Sequence, residues 1–242
     1  MKEQPLFSII TINKNNVVGL KKTINSVLEQ TYANYEYIII DGDSTDGSKD
    51  IVSDYSKNQF CFISEPDNGI YNAMNKGIKF SKGEFLIFMN SGDQFYSRST
   101  LETYKNIFNE HPHFDIYYGD FLVNNQIKLV PRTLSLFYFR TNSLCHQSSL
   151  IKRNLLIEAG YYNENYKIVS DHIFFLKSFL SNKKFKHVHD ISSIYDSSGI
   201  STTFDTGVET KKAWNDFVPL HLKVLLYPKY IIHVITWEKA HG

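Results

Sequence analysis

Apolar runs and helix-like repeats alternate along the first 90 residues. The runs are rich in Ile, Phe and Tyr, which is typical of strands buried on both faces, and they span 6–13, 35–41, 60–64 and 83–90. Between them, apolar residues recur three and four positions apart, as on one face of a helix, over 19–30, 44–57 and 68–81. Strands that alternate with helices in this way predict a parallel sheet covered by helices.

The pattern changes after residue 95. The segment 115–131 reads as two antiparallel strands that turn at Asn124 and Asn125. The other predicted elements are a strand over 145–153 and helices over 100–111, 153–160 and 169–182. No linker rich in Pro or Ser separates the two parts. We therefore expect them to belong to a single folded unit in which they have different roles.

These patterns predict an α/β domain over 1–204, with 1–95 and 96–204 as its two halves, followed by a helical tail over 205–242. The tail contains an apolar stretch, 220–237, that Pro228 breaks into two short helices.

Polar side chains follow the predicted strands of the first half. Asn13, Asp41, Glu65 and Asp93 each come directly after an apolar run or within a few residues of its end. Ligands of parallel α/β sheets bind outside the carboxyl ends of the strands, so one cleft can collect these side chains. A carboxylate at such an end is either a helix cap or a ligand for a charged group.

Each candidate side chain also has a structural interpretation. Asp93 can cap the helix that follows it. In the helix over 169–182, the negative charge of Asp171 can interact favourably with the positive end of the helix dipole, and Ser170 can be the N-cap. Lys76 can be a solvated surface lysine, and His146 a structural hydrogen-bonding residue. The competing interpretations are a hard-cation ligand for Asp93, a general base for Asp171 and a diphosphate partner for Lys76. The sequence alone does not decide between them.

Composition excludes some classes of protein. The formal net charge of the 242 residues is +1, which does not suit a nucleic-acid binder held by phosphate neutralisation. Cys61 and Cys145 have neither metal-site nor disulfide-framework spacing, which fits a reducing, cytoplasmic location. The first residues do not read as a signal peptide, and no apolar run reaches the ~20 residues of a membrane-spanning helix.

Seven blocks in series resemble the family 2 glycosyltransferases, whose nucleotide-sugar-binding fold is called GT-A. In chain order the blocks are FSIITINKN, YEYIIIDGDSTDGS, SEPDNGIYNAMNKGI, KGEFLIFMNSGD, HQSSLIKR, GYYNENYKIVSDHIFFLK and SGIST. They cover roughly 6–202, and the pattern of the third block is similar to that of the bacterial branch that builds exopolysaccharide and O-antigen. The resemblance implies a GT-A fold with a mostly parallel nucleotide-binding sheet, a smaller antiparallel acceptor-side part and a C-terminal helical tail.

The resemblance also implies residue roles for an inverting transfer of a hexose or N-acetylhexosamine. The implied nucleotide-sugar contacts, for which a UDP-linked donor is expected, are Thr11, Asn13, Asp41, Asp67, Asn75, Lys76, Ser91 and Gly92. It implies that Asp93 binds Mn²⁺ or Mg²⁺ and that Asp171 is the catalytic base. It further implies that His146 and Gln147 contact the acceptor or the sugar. The chain departs from the family's D-x-D-D metal motif, since Asn90 and Gly92 replace two of the acids.

The implied acceptor is a glycan or a lipid-diphosphate-linked sugar at the cytoplasmic face of the inner membrane. The stretch 220–237 suits peripheral binding to that membrane, and it equally suits packing on the catalytic domain or on a second subunit of a homodimer. Two other functions compete: a non-catalytic nucleotide-sugar-binding module, and a sugar nucleotidyltransferase. The nucleotidyltransferase ranks low because no Gly-rich basic loop follows the first strand.

Overall fold

The computed structural model describes residues 4–55, 59–199 and 206–224. Within them, nine strands join one sheet. The strands are β1 (Phe7–Asn13), β2 (Tyr35–Asp41), β3 (Cys61–Ser64), β4 (Phe85–Phe88), β5 (Gln94–Phe95), β6 (Ile116–Val123), β7 (Gln126–Lys128), β8 (Ser149–Lys152) and β9 (Phe185–Tyr195). The helices are α1 (Val17–Leu28), α2 (Ser48–Val52), α3 (Ile70–Phe80), α4 (Thr100–Glu110), α5 (Leu136–Thr141), α6 (Arg153–Glu158), α7 (Ser170–Leu180) and α8 (Thr206–Phe217).

The first half of the chain forms the parallel part of the sheet. Its strands lie in the order β3, β2, β1, β4, and every neighbouring pair is parallel. Helices connect these strands, as parallel strands require. The prediction of an α/β fold with a mostly parallel sheet in its first half is confirmed.

The second half extends the sheet beyond β4. Strand β8 is antiparallel to both β4 and β6, and β7 pairs with β6 in a hairpin. Asn124 and Asn125 form its two-residue turn with φ of 49° and 60°, the left-handed values that such hairpin turns favour in asparagine. The antiparallel prediction does not extend to β9, because β9 pairs parallel to β6.

Apolar layers cover both faces of the sheet, which explains the unbroken apolar runs in the sequence. Phe7 and Ile9 of β1 belong to one buried cluster with Leu20 and Ile24 of α1. Ile10, on the opposite face of β1, belongs to a second cluster with α3 and α7. Burial of this kind stabilises by roughly 25 cal/mol per Å² of apolar surface removed from water.

Some element boundaries differ from the predictions. Helix α2 begins only after Gly47, whose φ is +93°, because the residues before it form a turn on the Asp41 carboxylate. Helix α5 was not predicted. Of the tail, α8 lies in the described part, whereas 225–242, with most of the stretch 220–237, lies outside it. Among the described residues, no helix has the length and apolarity needed to cross a membrane.

Candidate functional site

Three polar side chains meet where the first three strands end. The parallel register places Asn13 opposite Asp41, and Asp41 opposite Ser64. Residues opposite each other in a parallel pair point to the same face, so the three side chains form a row. The Asn13 amide nitrogen and the Ser64 hydroxyl both donate hydrogen bonds to the Asp41 carboxylate, at 2.8 and 2.7 Å.

The Asp41 carboxylate is fully buried, yet it stays ionised. Ser44 donates to it twice, through its backbone N–H at 2.9 Å and its hydroxyl at 2.6 Å. Burial acts to raise the pKa of this carboxyl, but the hydrogen bonds from Ser44, Ser64 and Asn13 outweigh it and hold the pKa below its usual value. Asp41 therefore supplies a fixed, buried negative charge at the carboxyl ends of β1, β2 and β3.

The loop 90–93 follows β4 and runs beside the end of β1. The Ser91 N–H donates to the Ile12 carbonyl at 3.1 Å, and the Ser91 hydroxyl donates to the Asn13 amide oxygen at 2.7 Å. The Gly92 N–H donates to the Thr23 hydroxyl of α1 at 2.9 Å. The loop is thereby attached to the row of side chains that Asn13 and Asp41 form.

Gly92 has both a backbone and a steric reason to be glycine. Its φ is +107°, and an added Cβ would overlap the Asp196 carboxylate. We expect Gly92→Ala to lower the free energy of unfolding by about 2 kcal/mol more than Gly160→Ala does. Gly160 is the matched control, because its φ is also positive, at +77°, but an added Cβ there meets nothing within 4 Å. Urea denaturation measures the difference, and equal losses would show that the overlap with Asp196 is unimportant.

The Asp93 carboxylate is 3% exposed and is held from two sides. Gln147 donates its amide N–H to one oxygen at 2.8 Å, and the Asp196 backbone N–H donates to the other at 2.8 Å. Helix α4 begins after Ser99 and has no side-chain cap, so the helix-cap interpretation of Asp93 is wrong. Burial raises the pKa of the Asp93 carboxyl to about 6, although both hydrogen bonds act to lower it.

This raised pKa makes stability depend on pH. A carboxyl with a raised pKa in the folded state contributes stability that is fully present below about pH 4 and is lost as the pH rises through about 6. Between these limits we expect wild type to lose up to roughly 3 kcal/mol of unfolding free energy relative to Asp93→Asn. Urea denaturation from pH 4 to 8 tests this. Asp54→Asn, at an exposed site, is the control, and parallel curves for wild type and Asp93→Asn would refute the expectation.

Metal binding by loop 90–93 stays a prediction. Each Asp93 oxygen accepts one hydrogen bond and keeps a second lone pair, so the carboxylate is held in place but not saturated. No three His, Cys, Asp or Glu side chains are grouped for metal binding within 4–55, 59–199 and 206–224. The Asn90 amide oxygen is buried without a hydrogen-bond partner, but one neutral oxygen does not make a site for a divalent cation.

Asp171 lies in the first turn of α7 and contacts side chains from two distant segments. One carboxylate oxygen lies 3.0 Å from His146 Nδ1, and the Tyr71 hydroxyl lies 2.8 Å from the other. Ser170 does not cap the helix, because the N-cap is Val169 and has no side-chain hydrogen bond. Burial acts to raise the pKa of the Asp171 carboxyl, but His146 and Tyr71 outweigh it and hold the pKa below its usual value.

A continuous series of contacts joins Asp41 to Asp171. It runs from Asp41 to Asn13, from Asn13 to Ser91, along the backbone to Asn90, from Asn90 to His146 and from His146 to Asp171. Gln147, the neighbour of His146, adds the bond to Asp93. Asp41, Asp93 and Asp171 therefore belong to one contiguous polar region, whereas Glu65 pairs with Lys76 and is not part of this series.

Thr11 and Asn75 lie apart from this region. The Thr11 hydroxyl is fully buried, donates to the Met89 carbonyl at 2.6 Å and contacts the Tyr37 hydroxyl. The Asn75 amide nitrogen donates to the Tyr162 carbonyl at 2.9 Å and to Glu164 at 2.8 Å, and its oxygen accepts from the Tyr162 N–H. Their hydrogen bonds stabilise the surrounding fold, and their expected nucleotide contacts remain predictions.

Asp67 and Lys76 bind each other beside the strand end that carries Asp41. The Lys76 ammonium lies 2.8 Å from the Asp67 carboxylate and 2.8 Å from Glu65. The other Asp67 oxygen lies against Gly42, next to Asp41, since an added Cβ on Gly42 would meet it at 2.7 Å. Lys76 is thus paired and not simply solvated, and a diphosphate would have to compete with two carboxylates for it.

Sequence reasoning missed Tyr71 and Asp196. Tyr71 lies on α3 and is 4% exposed. In the sequence it is an aromatic residue within an apolar repeat, which indicated only a residue of the core. Asp196 uses its backbone N–H, which no sequence motif reveals. Both partners are about 100 positions away in the chain, so no local signal was available.

The family model and two related sequences that match this chain are all of glycosyltransferases. The model of the family described as Glycosyl transferase family 2 matches residues 8–177. A PGL/p-HBAD biosynthesis glycosyltransferase of Mycobacterium bovis is 30% identical over 207 residues, which cover 82% of this chain and 80% of the relative. An uncharacterized glycosyltransferase of Rickettsia typhi is 27% identical over 232 residues, which cover 88% of this chain and 72% of the relative.

Solved structures share the fold. TarS 1–349 of Staphylococcus aureus in complex with UDP-GlcNAc aligns with a TM-score of 0.68 at 21% identity, over 82% of this chain and 61% of that one. The mannosyltransferase PcManGT of Pyrobaculum calidifontis, in complex with GDP-Man and Mn²⁺, aligns with a TM-score of 0.61 at 16% identity, over 80% of this chain and 57% of that one. The chain thus spans about three fifths of the length of these neighbours.

Proposed function

Because this chain belongs to glycosyl transferase family 2, we propose that it is an inverting enzyme that transfers a hexose or N-acetylhexosamine from a nucleotide sugar. The proposed donor is UDP-linked, and the proposed acceptor is a glycan or a lipid-linked sugar of a bacterial surface polysaccharide. The family supports glycosyl transfer in general. The donor, the acceptor and the polysaccharide are parts of the proposal.

One observation supports the proposal most directly: the series of contacts from Asp41 to Asp171. It brings a fixed negative charge at the strand ends and a buried carboxylate on α7 into one region, with loop 90–93 between them. Group transfer requires donor-binding groups and a base at the same place, held in a fixed geometry. An arrangement with these groups on separate surfaces would not support transfer.

In the proposed reaction, Asp171 accepts the proton of the attacking hydroxyl group. The sugar C–O bond to the diphosphate breaks as the acceptor oxygen bonds to the anomeric carbon from the opposite face. The lowered pKa of Asp171 keeps it ionised at neutral pH, so the carboxylate can accept a proton, although the same shift makes it a weaker base. Asp41 is proposed to accept a hydrogen bond from the uracil ring or the ribose, in place of one of its four present donors.

The proposed reaction includes no step that depends on a divalent ion. The name of one structural neighbour includes Mn²⁺, and the family resemblance implies Mn²⁺ or Mg²⁺ at Asp93. In this chain each Asp93 oxygen accepts one hydrogen bond within the protein, and ion binding there stays a prediction.

The acceptor and the place of action rest on the family resemblance. We propose that 220–237 contacts either the cytoplasmic face of the inner membrane or a second subunit. Residues 225–237 of this stretch lie outside the described residues.

One observation favours the alternative of a non-catalytic binding module. The loop that carries the metal motif in related chains has a single carboxylate here, and that carboxylate is engaged within the protein. Binding and turnover therefore have to be measured separately.

The test is a panel of UDP- and GDP-sugars, each with and without Mn²⁺. Thermal stabilisation reports binding, and release of the nucleoside diphosphate reports turnover. We expect a UDP-sugar to stabilise the protein more than its GDP counterpart and to release UDP when an acceptor is present. Binding without release would favour the non-catalytic module, and no binding of any nucleotide would refute both functions.

A further inference from the structure

His146 contacts two parts of the site that are remote in sequence. Its Nδ1 lies 3.0 Å from Asp171 on α7, and its Nε2 lies 3.1 Å from the amide nitrogen of Asn90 in loop 90–93. The ring also meets the Phe88 ring edge-on, with centroids 6.3 Å apart. The His146 and Asp171 side chains are both only 15% exposed, so neither contact is a surface ion pair.

The partners of His146 determine what its ring does. A carboxylate oxygen only accepts hydrogen bonds, so His146 Nδ1 carries a proton and donates it to Asp171. His146 Nε2 faces the side-chain amide of Asn90, and this contact forms with either end of the amide, whose oxygen has no other hydrogen-bond partner. Both ring nitrogens are thus directed at protein groups, which makes His146 an orienting group and not the acceptor of the substrate proton.

The other oxygen of Asp171 is held less firmly. The Tyr71 hydroxyl has one proton and lies near two acceptors, the Ile168 carbonyl at 2.5 Å and the Asp171 carboxylate at 2.8 Å. Tyr71 must share that proton between them, whereas His146 Nδ1 has only Asp171 as its partner among these contacts. His146 is therefore the side-chain donor that fixes the direction of the carboxylate, beside the backbone N–H of His172 in the same helix.

We propose that His146 is a positioning residue for glycosyl transfer: it fixes the Asp171 carboxylate relative to loop 90–93. The inference rests on the proposed function, since it assigns His146 a role in that reaction and no contact with the acceptor or the sugar. Misplacing a catalytic group by about 1 Å can cost on the order of a hundredfold in rate. The loss of His146 should therefore lower turnover without weakening donor binding.

Two variants separate the two contacts of the ring. In His146→Asn, the amide nitrogen can occupy the place of Nδ1 and still donate to Asp171. In His146→Gln, the amide lies near the place of Nε2, which keeps the contact with Asn90 and removes the donor to Asp171. His113→Gln, at an exposed histidine, is the control.

We expect His146→Asn to keep kcat within about tenfold of wild type and His146→Gln to lose on the order of a hundredfold, both with little change in the donor KM. The control should equal wild type. A similar large loss in both variants would show that a titratable ring is needed, and it would overturn the positioning role. A larger loss in His146→Asn than in His146→Gln would overturn it too, because the contact with Asn90 would then be decisive.

A second measurement does not depend on turnover. Carbon-13 NMR follows the titration of the Asp171 carboxyl carbon in wild type and in both variants. We expect the pKa of Asp171 to rise in His146→Gln and to rise less in His146→Asn. Identical titrations would overturn the positioning role even if no donor is ever turned over, so its failure is distinguishable from failure of the proposed function.

Discussion

Replacing Asp171 by Asn should abolish transfer and leave donor binding intact. The amide has nearly the shape of the carboxylate, but its single oxygen can accept a hydrogen bond from only one of Tyr71 and His146, and it cannot take a proton from the acceptor hydroxyl. General bases contribute roughly 10²- to 10⁴-fold to rates, so kcat should fall by that factor. Release of the nucleoside diphosphate and calorimetric titration with the donor measure the two effects.

The matched control for this experiment is Asp50→Asn. Asp50 is also an acidic residue in the first turn of a helix, but it is exposed on α2 and has no role in the proposed reaction. This variant should retain the wild-type rate. Full activity in Asp171→Asn would remove Asp171 from the mechanism, and a loss of donor affinity would instead indicate a role in binding.

Replacing Asp41 by Ala should destabilise the fold and weaken donor binding together. The substitution leaves four hydrogen-bond donors, from Asn13, Ser44 and Ser64, without their buried acceptor. An unpaired buried polar group costs about 1–3 kcal/mol, and these donors are partly able to find other partners, so we expect a loss of about 3 kcal/mol. Urea denaturation gives the stability, and titration with UDP gives the binding.

Asp46→Ala is the control for this prediction. Asp46 lies in the same loop and accepts hydrogen bonds from Ser48 and Val17, but its side chain is exposed, so its loss should cost under about 1 kcal/mol. The lowered pKa of Asp41 also fixes the pH dependence. Its contribution is present above the pKa of about 4 in the unfolded chain and is lost as the pH falls through the lower folded value. Equal stability of Asp41→Ala and Asp46→Ala would contradict this role of Asp41.

The parallel half of the sheet was predictable because its signals are local. Four unbroken apolar runs with helical repeats between them allow few arrangements other than parallel strands with helical crossovers. The same reasoning brought Asn13 and Asp41 together, since carboxyl ends of adjacent parallel strands lie at one edge of the sheet. The structure adds the register that makes them direct neighbours.

The second half of the site was less predictable because its contacts are long-range. Nothing near His146 indicates that its ring lies between Asn90 and Asp171, 56 positions before it and 25 after it. The partner of Asp93 is a backbone N–H 103 positions away, and a backbone group leaves no trace in a sequence. The motif indicated which residues matter, whereas packing determined what each one contacts.

Asp93 shows how a motif and its surroundings can indicate different roles. The family pattern points to a metal ligand, and a single carboxylate in a loop of small residues is compatible with one. Burial and two hydrogen bonds make the same side chain a link between loop 90–93, Gln147 and Asp196. The donor panel with and without Mn²⁺ shows whether an ion changes donor binding or turnover.

The most direct test of the central claim is a crystal structure of the chain with a non-hydrolysable UDP-sugar. Asp41 and Asn13 should contact the uracil or the ribose, loop 90–93 should lie beside the diphosphate, and the anomeric carbon should face Asp171 across a gap wide enough for an acceptor hydroxyl. A nucleotide sugar bound away from Asp41, or bound with its anomeric carbon turned away from Asp171, would contradict the proposal that these two carboxylates serve one reaction.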